Sequence, residues 1–151
     1  MATHDFGILL GLAYQGFVDQ LHAALARGGF TDLGPAYGYV IRAIAAEPSI
    51  RQRELAAQLG ITEQGTGKIV DAMVRDRLVA RRPDPDDGRA HRLVLAPRGR
   101  RLLAAARQFH ADFERKLRHA LGDDIDATRR VLDAIVAASA DDTAQGRLRA
   151  T

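Results

Sequence analysis

Apolar residues recur at steps of three and four from the start of the chain: Phe6, Leu9, Leu10, Ala13, Phe17, Leu21, Ala24 and Leu25. That period buries one stripe of an α-helix, so it predicts a helix over 6–26, ended by Gly28-Gly29. Tyr37, Val40, Ile41 and Ile44 mark a second helix from about Pro35 to Ala46, stopped by Glu47-Pro48. A third, from about Gln52 to Leu59, turns Leu55, Ala56 and Leu59 inward and breaks at Gly60. Thr62 is a good N-cap for a fourth, which reaches about Asp76 with Thr66, Ile69, Val70 and Met73 inward.

The period then changes. Leu78 to Arg82 reads as a strand, the stretch Pro83 to Gly88 is dense in turn formers, and Arg92 to Leu95 reads as the return strand of a hairpin with a long tip. Pro97 opens a long helix to about Ala120, ended by Gly122. Asp123 or Asp124 caps a last helix to about Ala138, and the small, polar residues beyond it predict a frayed tail. The fold class is therefore mainly α with a small β-hairpin.

Two short helices joined at Gly60 satisfy the physical needs of a helix-turn-helix. Ala56 lets the helices approach, Gly60 takes the turn at little conformational cost, and Ile61, Thr66 and Ile69 occupy packing positions. A hairpin directly after such a motif makes a winged helix.

Charge sharpens this picture. The whole chain carries only +3, but residues 51–107 hold 13 Lys/Arg against 7 Asp/Glu while the flanks are net acidic. A basic middle suits a polyanion-binding module. The chain has no Cys, which excludes disulfides, thiolate metal sites and cysteine-based redox sensing. No apolar run is long enough to span a bilayer and no signal peptide is evident, so a cytoplasmic protein with no membrane partner is expected.

These residues together resemble the MarR family of bacterial regulators. Arg51–Leu59 (RQRELAAQL) is similar to the first helix of the family's motif. Gly60-Ile61-Thr62 leads into a recognition helix that ends in the run Val70 to Arg81, and Asp84 to Ala90 is similar to the family's Asp-Pro-x-Asp-x-Arg-Ala wing. Leu95-Ala96-Pro97-Arg98-Gly99 stands for a Leu-Thr-x-x-Gly pattern. The departures are Arg51 at a position where Ser or Thr is common, Arg77 for the usual Gly, and Gly88 for a basic wing-tip residue.

The resemblance implies one MarR-type domain over 1–151, with a winged helix-turn-helix lobe at 34–96, dimerisation helices at 1–30 and 97–140, and a flexible tail at 141–151. It implies a homodimer on a pseudo-palindromic double-stranded DNA operator, acting as a repressor released by a small aromatic or phenolic ligand, without cofactor or catalytic residues. Gln64 is the first choice as base reader because an amide pairs bidentately with adenine, and Lys68 suits guanine or phosphate. Thr62, Arg51, Gln52, Arg75 and His91 are candidate DNA-backbone contacts. Gly65 and Gly67 lie on the same helix, where each costs roughly 1 kcal/mol relative to Ala. Arg89 is the candidate for the minor groove, where a guanidinium senses width and potential. Asp87 and Asp71 are expected to brace the wing.

The face formed by Phe6, Leu10, Phe17 and Leu21 with Leu121, Ile125, Leu132 and Ile135 is too apolar to leave in water, and family members interlock such helices into a dimer. Phe17, His22, Tyr37, Tyr39 and Arg42 are candidates for an effector cleft. Two other readings stay open. Gly65, Gly67 and Gly88 allow a winged-helix protein-interaction module without DNA binding. His110 and Glu114, one turn apart, allow a metal-responsive regulator, although no metal site is assigned. No catalytic set, phosphate-binding glycine loop or metalloprotease motif occurs, so no enzyme is expected.

Overall fold

A computed structural model describes the backbone of residues 5–149 and the side chains of residues 5–140. Helix α1 is Phe6–Arg27, α2 Tyr37–Ala46, α3 Gln52–Leu59, α4 Glu63–Arg75, α5 Pro97–Leu121 and α6 Asp124–Arg149. Three strands, β1 Ile50–Arg51, β2 Val79–Asp84 and β3 Asp87–Leu95, form one antiparallel sheet in the order β1-β3-β2. One compact unit ends at Phe109 and a second begins at His110, inside α5.

The first unit buries one core. Val40, Ile41 and Ile44 of α2 meet Leu55 of α3, Val70 and Met73 of α4, Ile50, Val79 and Leu93 of the sheet, and Leu102 of α5. Burying each of the larger side chains is worth about 1.5–3 kcal/mol relative to leaving it exposed. Leu78, also fully buried, sits at the crossing of α5 and the sheet. A Cβ on Gly99 would collide with the Leu78 carbonyl, which explains a glycine inside the first turn of a helix.

Two strand expectations change. The strands are longer than the alternation suggested, and the tip is only Pro85-Asp86, with Asp84 paired to Asp87 across a register shift at Pro83/Asp84. Pro83 lies within β2 because β2 is an edge strand, where a missing N–H costs no inner ladder bond. The two-residue β1, pairing Ile50 with Leu93 and Arg51 with Arg92, is too short to leave a sequence pattern.

The second unit contains the end of α5 and α6, joined at Gly122 with φ +60. Arg118 donates to both oxygens of Asp126 at 3.0 and 2.8 Å, Arg129 donates to Glu114 at 2.7 Å, and Ile125 is buried. Helix α6 continues to Arg149, over most of the segment expected as a flexible tail. Residues 150–151 lie outside the described residues.

Candidate nucleic-acid interface

The motif is built on its turn. Gly60 adopts φ +67 as the C-cap of α3, and its N–H and that of Ile61 donate back to Ala57 and Ala56 carbonyls at 3.3 and 3.2 Å. This satisfies the last carbonyls of α3 and turns the chain at once into α4. Ile61 is 43% exposed rather than packed, because its backbone, not its side chain, closes the turn. Thr62 caps α4: its hydroxyl oxygen accepts from the Gly65 N–H at 3.0 Å, a contact worth about 1 kcal/mol.

Helix α4 divides cleanly into faces. Thr66, Val70 and Met73 are buried against the core, and the Thr66 hydroxyl donates to the Thr62 carbonyl at 3.0 Å. Gln64, Lys68, Asp71 and Arg75 repeat at helical spacing on the exposed face. Among the described residues, neither Gln64 nor Lys68 has a side-chain partner. Gly67 has a structural reason: a Cβ there would stand 3.2 Å from Gln52 Nε2. It admits Gln52 of α3 against α4. Gln52 also accepts from Arg81 at 3.5 Å, so it faces inward rather than presenting a free amide.

The wing is held at two points. Arg81 of β2 donates to Asp71 of α4 at 2.6 Å, which ties the wing strand to the exposed helix. The second point is Asp84, whose side chain is fully buried. It accepts from Arg51 Nε at 2.7 Å and from the Asp86 N–H at 2.9 Å, and Arg92 Nε stands 3.2 Å away. The Asp86 N–H, then Arg92 and Arg51, hold the Asp84 carboxyl below its ordinary pKa against the opposing effect of burial. Arg92 reaches further, to the Ser49 carbonyl at 3.3 Å and to Asp86 at 3.4 Å.

This network reassigns two sequence expectations, for Arg51 and Asp87. Arg51 is committed to Asp84. It still precedes α3 as N-cap, but the reciprocal half of its capping box comes from Glu54, which accepts from the Arg51 N–H at 2.8 Å; a guanidinium has no acceptor to offer. Asp87 accepts from the backbone N–H of Arg89 at 3.0 Å and shapes the tip rather than pairing with a guanidinium. Asp84, not singled out from sequence, carries the buried pairs. Arg89 and His91 are exposed on β3, and no described residue pairs with the Arg89 guanidinium.

The effector candidates do not converge. Tyr37 is buried, and its phenol donates to Asp76 at 2.8 Å; burial first and this bond second keep it neutral by raising its pKa. Tyr39 is 67% exposed, Arg42 lies on the surface, and Phe17 packs on Phe109 with ring centroids 5.6 Å apart. His22 lines an open cavity of about 290 Å³ with Ala26, Phe30, Thr31, Asp32 and Leu33. Glu114, the partner of His110 in the metal reading, is engaged by Arg129, and no group of three metal-ligating side chains occurs among the described residues.

The apolar terminal helices are used unevenly. Phe6, Ile8, Leu9, Leu12 and Tyr14 of α1 are each more than half exposed, as are Leu121 of α5 and Val136 of α6, with Val131 and Leu132 somewhat less so. Leu10, Phe17 and Ile135 are half-buried. Leu21 packs on the core of the first unit and Ile125 is buried in the second, so these two serve the single chain. No helix among the described residues is long and apolar enough to cross a membrane.

A helix-turn-helix followed by a braced antiparallel hairpin defines a winged helix-turn-helix protein. The MarR family model matches residues 31–90. A transcriptional repressor, CouR, solved bound to a 23-mer DNA duplex, is 30% identical, with 87% of this chain and 92% of that chain covered and a TM-score of 0.69. RV1404 from Mycobacterium tuberculosis has a TM-score of 0.73 at 20% identity, covering 91% of this chain and 97% of that one. The reduced form of MarR from E. coli has a TM-score of 0.69 at 22% identity, covering 89% and 98%. No curated protein matches the sequence. The chain belongs to the MarR family of transcriptional regulators, which are not enzymes.

Proposed function

We propose that the chain is a homodimeric repressor that binds a pseudo-palindromic double-stranded DNA operator in the cytoplasm and is released by a small aromatic or phenolic ligand. The observation that carries this reading is the exposed face of α4. It presents an unpaired amide and ammonium, Gln64 and Lys68, opposite a fully buried face, beside a wing that presents the unpaired Arg89. Helix α4 would enter the major groove with its N-terminal turns toward the bases, while the wing meets the minor groove. The likeness to CouR, a repressor solved on DNA, supports this assignment. The exposed apolar residues of α1 and α6 support a dimer, since a two-fold axis sets two recognition helices against two half-sites. The open cavity beside His22 supports a small-molecule effector.

The test is a titration of the duplex upstream of the gene, with single-base variants, against wild type, Gln64→Ala and Arg89→Ala. Gln64→Ala should cost about 1–3 kcal/mol on the preferred site and relax preference at one base pair per half-site. Arg89→Ala should weaken all variants together, most of all those with A·T-rich flanks. An unchanged preference pattern in Gln64→Ala moves base reading to Lys68.

A further inference from the structure

Arg98 sits in the first turn of α5, where the helix dipole is positive and a cation is disfavoured. Its guanidinium turns away from that end to two carbonyls outside its own helix. One nitrogen donates to the Asp76 carbonyl at 2.9 Å and the other to the Gly29 carbonyl at 3.2 Å. Its Cζ lies over the Phe30 ring, 5.2 Å from the centroid.

These partners give the contact a consequence. Asp76 is the C-cap of α4, where the last carbonyls lack helical partners and the dipole is negative. Its carboxylate is already held by Tyr37. The chain leaves α4 through Arg77 at φ +59, a conformation that costs a non-glycine residue energy and persists only when the surroundings enforce it. Arg98 and Tyr37 supply that enforcement, from α5 and α2. Phe30, beneath the guanidinium, is also a wall of the cavity beside His22.

We propose that Arg98 is a positioning residue for the DNA-reading helix: it ties the C-terminal end of α4 to Phe30, and so to the cavity wall, and is not a phosphate contact. This rests on α4 being the reading helix. A displacement of Phe30 then reaches α4 through one guanidinium.

The test compares wild type, Arg98→Met, Arg98→Lys, Phe30→Leu and the double variant Arg98→Met/Phe30→Leu by titration of the upstream duplex at several salt concentrations. Arg98→Met should weaken binding about ten-fold with an unchanged salt slope. Arg98→Lys should not restore it, because an ammonium lacks the planar fork. Phe30→Leu should weaken binding too, and the double variant should be no weaker than Arg98→Met alone. Wild-type affinity in Arg98→Met, a salt slope reduced by about one, or fully additive losses would each overturn the proposal. Amide exchange of the same proteins needs no DNA. Faster exchange at Asp76, Arg77 and Leu78 in Arg98→Met supports the clamp, and unchanged exchange overturns it. A wild type that binds no duplex would instead contradict the DNA reading, and the exchange data separate the two failures.

Discussion

Asp84 accepts a hydrogen bond from Arg51 at 2.7 Å, which joins the far end of the first wing strand to the residue just before the helix-turn-helix motif. The carboxylate is buried between Arg51 and Arg92, so removing it leaves Arg51 without its counter-charge and Arg92 with only the exposed Asp86, 3.4 Å away. Asp84→Asn keeps the shape and deletes the charge. We expect it to lower the melting temperature by several degrees and to weaken operator binding through a loosened wing. Thermal unfolding and a DNA titration on the same sample check both effects. Unchanged values in both would mean that the wing is held elsewhere.

The same group predicts a pH dependence. Its folded-state pKa is depressed, so its contribution to stability is fully present above the unfolded-state value, about 3.9, and is lost as pH falls through the lower folded value. The difference in melting temperature between wild type and Asp84→Asn should stay constant from about pH 8 to pH 5 and shrink only below about pH 4. A difference that closes near neutral pH would contradict the anchored carboxylate.

Arg77 occupies a left-handed position at φ +59, where glycine pays no Cβ penalty. Its side chain is exposed, so little packing is lost on removal. Arg77→Gly should stabilise the fold by about 1 kcal/mol, offset in part by the greater entropy of the unfolded glycine chain. Denaturant midpoints at unchanged m-value measure this; a destabilised variant would show that Arg77 makes contacts that outweigh its strain.

The exposed stripe of α1 predicts an assembly effect. Leu12 is 55% exposed and contributes little to the single-chain core, so Leu12→Arg should leave the helical circular dichroism intact. Sedimentation should then show a shift from dimer to monomer, with weaker operator binding. A wild type that sediments as a monomer, or a Leu12→Arg protein that remains a dimer, would remove α1 from the interface.

Much of this arrangement was legible in the sequence, and the gaps have physical causes. Helix α3 ran from Gln52 to Leu59 as read, because Pro48 and Gly60 act through the local backbone. Thr62 was found as a cap for the same reason. Asp84 was missed because a carboxylate beside Pro83 and Pro85 reads as a turn residue, while its partner Arg51 lies 33 positions away. Arg51 and Gln52 are expected at the DNA because the helix before the recognition helix usually meets the backbone there, and the sheet and Gly67 instead give their side chains partners within the chain. Tyr37 and Tyr39 sit two positions apart on a helix, which places one in the core and the other in solvent. Composition alone could not separate those roles.

A basic middle that forms the DNA surface makes affinity depend steeply on salt. Fluorescence anisotropy of the labelled upstream duplex gives the dissociation constant of the wild-type protein at a series of salt concentrations. A dimer that makes about 6–10 phosphate contacts should lose roughly 10³–10⁵ in affinity between about 50 and 200 mM salt. A flat response over that range, or no binding at low salt, would show that the basic segment is not a DNA surface.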